Sequence, residues 1–164
     1  MKQLWAPWRM AYVSGEVAPE AGGCFLCRTA QDGVDAQHVV ERTARTFTLL
    51  NRYPYSSGHV MVVPARHAPD IVDLDDAEAS AVMAAVQRAV RAIRAALNAE
   101  GFNVGLNSGG VAGASVEHVH VHVVPRWGGD TNFMPVIGDV KVLPEHLDAT
   151  AATLREAFSS LPSG

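Results

Sequence analysis

The 164-residue sequence has very little cysteine, only Cys24 and Cys27. Two residues cannot form a disulfide framework, and a single Cys-x-x-Cys is either a redox pair or half a metal site. No run of about 18 consecutive apolar residues occurs, so no transmembrane helix and no membrane partner are predicted. The most apolar long segment, Ala77 to Leu97, is broken by Gln87, Arg88, Arg91 and Arg94. The opening residues, Met1 to Arg9, contain no apolar core of a secretory signal, which predicts a cytoplasmic protein. Excess positive charge is missing too: 13 basic residues stand against 17 acidic ones, a formal net charge of −4. That balance argues against a nucleic-acid partner but leaves room for a local phosphate pocket. There is no internal repeat and no low-complexity tract.

What is present is ordinary globular material, 48% hydrophobic and 18% charged. The length suits one domain, or a domain with short arms, and such a chain buries about 70% of its unfolded surface. The first 38 residues read as an arm and loop. Thr46 to Leu50 and His59 to Val63 read as antiparallel strands joined by a turn-rich stretch, with Pro64 stopping the second. Asp75 and Glu78 form a helix-start pair. Val82, Val86, Val90, Ile93 and Leu97 then repeat on one helical face, with Gly101 as the expected stop and the arginines solvated. Phe102 to Leu106 reads as a strand, and Glu145 to Phe158 as a last helix. Strands and helices do not alternate strictly, so an α+β fold with an antiparallel sheet is expected.

Chemistry concentrates in His118-Val119-His120-Val121-His122-Val123-Val124. Alternation along a strand puts the three imidazoles on one face and the valines on the other. Three histidines in a row are poor core material. Two readings remain. His-x-His can offer two nitrogens to one zinc, although the outer pair, about 13 Å apart by strand rise, is too far apart for one ion. Alternatively, a neutral imidazole attacks phosphorus while its other nitrogen is held protonated. The preceding loop, Asn107 to Ser115, favours the second reading, because Gly109, Gly110 and Gly113 leave backbone N–H groups open to an anion.

The pattern His-φ-His-φ-His-φ-φ resembles the signature of the histidine triad (HIT) family of nucleotide hydrolases and transferases. Leu50-Asn51 and Gly58-His59-Val60-Met61-Val62-Val63-Pro64 lie in register with that family, over roughly residues 24–127. Leu4 to Arg9, Asn51 to His59 and Pro125 to Phe133 resemble a bacterial branch. That branch is related to the fragile-histidine-triad proteins and the diadenosine tetraphosphate phosphorylases.

The resemblance implies a curved antiparallel sheet of about five strands with one long helix and a C-terminal helix, assembled as a homodimer. It divides the chain into an arm, 1–23, a HIT domain, 24–135, and a C-terminal extension with a helix, 136–164. It makes His120 the nucleophile that takes up a nucleotidyl group, with His122 and His59 beside the phosphate as further catalytic residues. Asn51 falls at the ribose-binding position. Asn107, Gly113, Ala114, Ser115 and His122 fall at the substrate-binding positions. Ala114 stands where fragile-histidine-triad hydrolases carry glutamine, and Ser115 fits the phosphorylases. Inorganic phosphate is therefore preferred over water as acceptor, with a nucleoside phosphoramidase or a non-catalytic nucleotide-binding module as alternatives. Some bacterial members bind a structural zinc through a Cys-x-x-Cys, a later histidine and the first motif histidine. Those positions are Cys24, Cys27, His67 and His118. No organic cofactor is implied. His38 and His146 match nothing and read as ordinary surface or loop histidines.

Overall fold

The computed structural model describes residues 23–31, 36–130 and 146–162. The motifs Leu4 to Arg9 and Thr131 to Phe133 lie outside the described residues, as does Glu145. Among the described residues the α-helices and β-strands follow in the order α1 (Phe25–Ala30), β1 (Val39–Arg42), β2 (Thr46–Leu50), β3 (Val60–Pro64), α2 (Asp76–Leu97), β4 (Gly101–Gly105), β5 (Val121–Arg126) and α3 (Leu147–Ser159). The strands form one antiparallel sheet in the order β1-β2-β3-β5-β4. The α+β sheet of five strands, the long helix and the C-terminal helix all correspond to expectation. No helix among the described residues is long and apolar enough to cross a membrane.

The register assigns each strand residue to a face. Across the sheet, Leu49 pairs with Met61, Met61 with His122, and His122 with Gly105. Leu50, Val60, Val123 and Val104 make the neighbouring row on the opposite face. That opposite face carries the main core. Val60, Val62, Val121 and Val123 pack there with Val82, Val86, Ala89 and Ile93 of α2 and with Leu154 and Phe158 of α3. The imidazole-bearing face is only partly covered. Leu26 of α1 seals Val39, Phe47, Leu49, Met61 and Val63 in a second, smaller cluster. That cover stops short of the β5–β4 side, where the histidines lie.

Helix α2 starts as expected: the Glu78 N–H donates to Asp75 Oδ1 (2.7 Å) and the Asp75 N–H to Glu78 Oε2 (3.1 Å). It stops earlier than expected. Asn98, not Gly101, takes the left-handed conformation (φ 53°), and Gly101 opens β4. Asn is the commonest non-glycine residue in that conformation, because its short amide bonds locally. Arg88 is not solvated either: it pairs with Glu41 of β1 at 2.7 Å. The stretch read as arm and loop contains α1 and, at its end, leads into β1.

The turn between β2 and β3 depends on Gly58. Its φ is +75°, a left-handed backbone that favours glycine, and a Cβ there would press on the end of the Leu97 side chain. The Ser56 hydroxyl ties the same turn to the Pro125 carbonyl at 2.8 Å. His59 is thereby delivered fully buried at the head of β3, under the end of β5.

Candidate active site

Only His122 of the histidine run lies within a strand; His118 sits in a bend and His120 in irregular chain just before β5. Their backbone is used outside the sheet ladder. The Val119 N–H donates to the Ala68 carbonyl at 2.8 Å, and the His118 carbonyl accepts from the His120 ring at 2.8 Å. This departure from a regular strand separates the three rings by task.

His120 is 5% exposed. Its Nδ1 faces a carbonyl, which can only accept, so Nδ1 carries the proton and Nε2 keeps its lone pair. The neighbouring ring has the opposite polarity. The Tyr55 N–H donates to His59 Nδ1 at 3.0 Å, which leaves the His59 proton on Nε2. That Nε2–H donates to His122 Nδ1 at 3.0 Å, so His122 carries its proton on Nε2. The His120 and His122 rings stand edge to face with centroids 4.9 Å apart. Side by side they offer one nucleophilic lone pair, fixed by a main-chain carbonyl, and one N–H donor, fixed through the His59 ring.

His118 turns the other way. It is fully buried, its Nε2–H donates to the Pro64 carbonyl at 3.0 Å, and its bare Nδ1 lies 3.4 Å from Cys24 Sγ and 3.6 Å from Cys27 Sγ. Cys27 Sγ lies 3.3 Å from His67 Nδ1. The four ligand atoms all lie within 4.8 Å of one another, so the cluster could hold a metal ion. A tetrahedron with Zn–S near 2.3 Å and Zn–N near 2.05 Å has S···N edges of about 3.5 Å, so the donor set fits zinc. The carbonyl on the far nitrogen of His118 is the usual partner of a ligating imidazole. Burial above all holds His118 below the ordinary histidine range, which keeps Nδ1 unprotonated. Burial, then the neighbouring Cys24, pushes the Cys27 thiol up. The short helix that a redox pair would want does follow Cys24, but the two thiols face imidazoles.

The remaining sequence candidates surround the rings. Asn51 directly follows β2; its N–H donates to the His59 carbonyl (2.9 Å), and its Oδ1 accepts from the Tyr53 N–H (2.8 Å). The side-chain group left to meet a ligand is therefore Nδ2. Asn107 and His122 line one open groove, and Asn107 Nδ2 also reaches the Gly113 carbonyl at 3.3 Å. The Gly113 and Ala114 N–H groups turn inward to the Gly110 and Gly109 carbonyls, so they are not part of an anion cradle. Ser115 follows, exposed.

Outside the site, His38 is half-buried and its Nε2 lies 3.3 Å from Asp148 of α3; His146 is the exposed residue that precedes α3. Sequence reasoning passed over two further residues. In the sequence Tyr55 reads only as part of a turn; its ring stacks on His59 with centroids 5.0 Å apart and an interplanar angle of 12°. Gly105 lies directly across from His122. The signals were present, an aromatic four residues before a functional histidine and a glycine inside a strand, but neither is specific by itself.

Fold and site together define a class: an open α+β sheet whose uncovered face carries a row of imidazoles with fixed tautomers beside a thiol–imidazole cluster. The chain belongs to the HIT domain family, whose model matches residues 32–129. It is 41% identical over 170 residues to an AP-4-A phosphorylase of Mycobacterium tuberculosis, covering 99% of this chain and 87% of that protein. A bis(5'-nucleosyl)-tetraphosphatase [asymmetrical] of Schizosaccharomyces pombe is 35% identical over 92 residues, 56% of this chain and 50% of the other. Among solved structures, a Zn-bound histidine triad family protein from Mycobacterium smegmatis matches with TM-score 0.71 and 28% identity, covering 83% of this chain and 93% of that one.

Proposed function

We propose that the chain is an enzyme that cleaves dinucleoside polyphosphates of the diadenosine tetraphosphate kind by nucleotidyl transfer through His120. The carrying observation is the 2.8 Å bond from His120 Nδ1–H to the His118 carbonyl, which leaves Nε2 as a directed lone pair. Nε2 forms a bond to the α-phosphorus as the bond to the bridging oxygen breaks. The electron pair leaves with the polyphosphate. The positive charge developing on the ring is stabilised at Nδ1–H by the carbonyl, and the His122 Nε2–H donates to a phosphoryl oxygen. His59 holds His122 in that tautomer. Asn51 Nδ2 binds the ribose, and Asn107, Gly113, Ala114 and Ser115 border the transferred phosphate and its acceptor. Inorganic phosphate as acceptor gives a nucleoside diphosphate; water gives a monophosphate. The small residues Gly113 and Ala114 and the 41% identity to an AP-4-A phosphorylase favour phosphate.

Cys24, Cys27, His67 and His118 would hold zinc, which when bound supplies a structural cross-link. We further propose a homodimer: β4 is an outer strand of the sheet and exposes Val104. The division into an arm, 1–23, a HIT domain, 24–135, and an extension, 136–164, belongs to the same reading.

The decisive experiment combines a variant with a product assay. His120→Ala should lower turnover of diadenosine tetraphosphate by about 10³-fold or more with the circular dichroism unchanged. The wild-type protein should form ADP and ATP when inorganic phosphate is present. A His120→Ala protein with full activity would sink the mechanism, and AMP as the sole mononucleotide partner of ATP in phosphate buffer would exclude phosphorolysis.

A further inference from the structure

The open groove of about 260 Å³ shares His122 and Asn107 with the chemistry at His120 and extends beyond it along β4. Its lining includes Tyr55, Asn103, Gly105, Leu106, Asn107 and His122, but neither His120 nor Asn51. We infer that this groove seats the second nucleoside of the substrate, the one that departs with the polyphosphate, with Tyr55 stacking on its base. The inference deepens the proposed reaction and rests on that reading.

Three observations carry it. The first is position. Along the uncovered face the rings run His120, His122, Tyr55, with centroid separations of 4.9 Å and 6.3 Å. A phosphate chain leaving His120 past the His122 N–H donor is directed into the groove, away from Asn51. The second is chemistry. Tyr55 is 40% exposed although its ring stacks on His59, so aromatic surface faces solvent beside Leu106, with the Asn103 and Asn107 amides at hand. An aromatic platform edged by amides suits a nucleobase, since every base has a π-face. The volume, just under the ~300 Å³ at which small-molecule sites begin, suits one nucleoside and not a whole dinucleotide.

The third is Gly105. It faces His122 across the strand pair, and a Cβ built on it meets nothing within 4 Å. No left-handed backbone demands glycine there. A strand position that tolerates a side chain sterically, yet has none, marks a place where another group approaches the backbone closely.

The test compares diadenosine tetraphosphate with adenosine 5'-tetraphosphate, which has the same phosphate chain and lacks the second nucleoside. The quantity read is the ratio of the two kcat/KM values. Tyr55→Ala should lower that ratio about tenfold, and Tyr55→Phe should keep it within about twofold. Gly105→Val, which fills the groove, should lower it at least about fivefold while circular dichroism and chain mass in solution stay unchanged. A Tyr55 that merely props His59 would depress both substrates alike and leave the ratio intact, which overturns the subsite. So does a Gly105→Val chain that changes its oligomeric state and keeps the wild-type ratio. Equilibrium binding of the two compounds to His120→Ala reads the same preference without turnover. Turnover of both compounds with unchanged ratios defeats the subsite alone; neither turnover nor binding defeats the proposed reaction beneath it.

Discussion

At the scale of single residues, the site is a matter of where protons reside. Each of four imidazoles has one nitrogen committed to a fixed partner: His118 to the Pro64 carbonyl, His120 to the His118 carbonyl, His59 to the Tyr55 N–H, and His122 to His59. The two nitrogens that matter for the proposed transfer, Nε2 of His120 and of His122, therefore differ although the rings are chemically identical. His59 holds the least direct position and gives the sharpest test. His59→Phe retains the ring volume and removes the donor to His122, whose proton can then move to Nδ1. Loss of one buried hydrogen bond acting mainly in the transition state should lower kcat roughly ten- to a hundredfold with KM little changed. A His59→Phe enzyme with wild-type kcat would show that the His122 tautomer is immaterial. The alternation His118, His120, His122 was readable directly from the sequence. The separation of their tasks was not, because it depends on carbonyls at Pro64 and Ala68 that only the folded chain brings near.

At the scale of elements, what was legible is what has a long period. The apolar face of α2 spans 22 residues and declares itself, as do the antiparallel strands β2 and β3. Helix α1 has six residues and β1 has four, too short for periodicity to register. A helix of six residues is also unstable alone. It is held by Leu26, fully buried over the second core cluster, and by the thiols that face His67 and His118. Three separate pieces of chain, the start of α1, the segment after β3 and the segment before β5, meet at that cluster. Protein purified without added metal should therefore contain about one zinc per chain, and Cys24→Ser should lose it. Metal analysis together with thermal unfolding checks this: the stripped or substituted chain should melt at a lower temperature. A metal-free protein of unchanged Tm would deny the cluster any role as a cross-link.

At the scale of the whole molecule, the two faces of the sheet are tied by an ion pair between buried Glu78 and half-exposed Arg66. Glu78 sits in the first turn of α2, 7% exposed, and its two oxygens accept from Arg66 Nε at 2.7 Å and Nη2 at 2.6 Å. Arg66 precedes His67 of the thiol–imidazole cluster, and the next residue, Ala68, receives the Val119 N–H between His118 and His120. The helix on one face is thus bonded to the segment that braces the chemistry on the other. The Arg66 guanidinium, with the Asp75 N–H after it, holds the Glu78 carboxyl down at about 2, against 4.5 for an unperturbed glutamate. The sign follows from proton binding. Between those two values the unfolded chain takes up a proton at this carboxyl while the folded chain does not, so acid favours unfolding. The stabilisation from Glu78 is complete above about 4.5 and drains away as the pH falls toward about 2. Glu78→Gln should accordingly lower Tm at pH 7, and the gap to wild type should close as the pH drops through that window. Parallel melting curves, with the same gap at pH 7 and at pH 3, would mean that Glu78 acts through packing and capping rather than through its charge. Because the bond joins α2 to the chain around His67, the variant should also weaken metal retention at neutral pH, where the carboxylate of the wild-type chain is fully ionised.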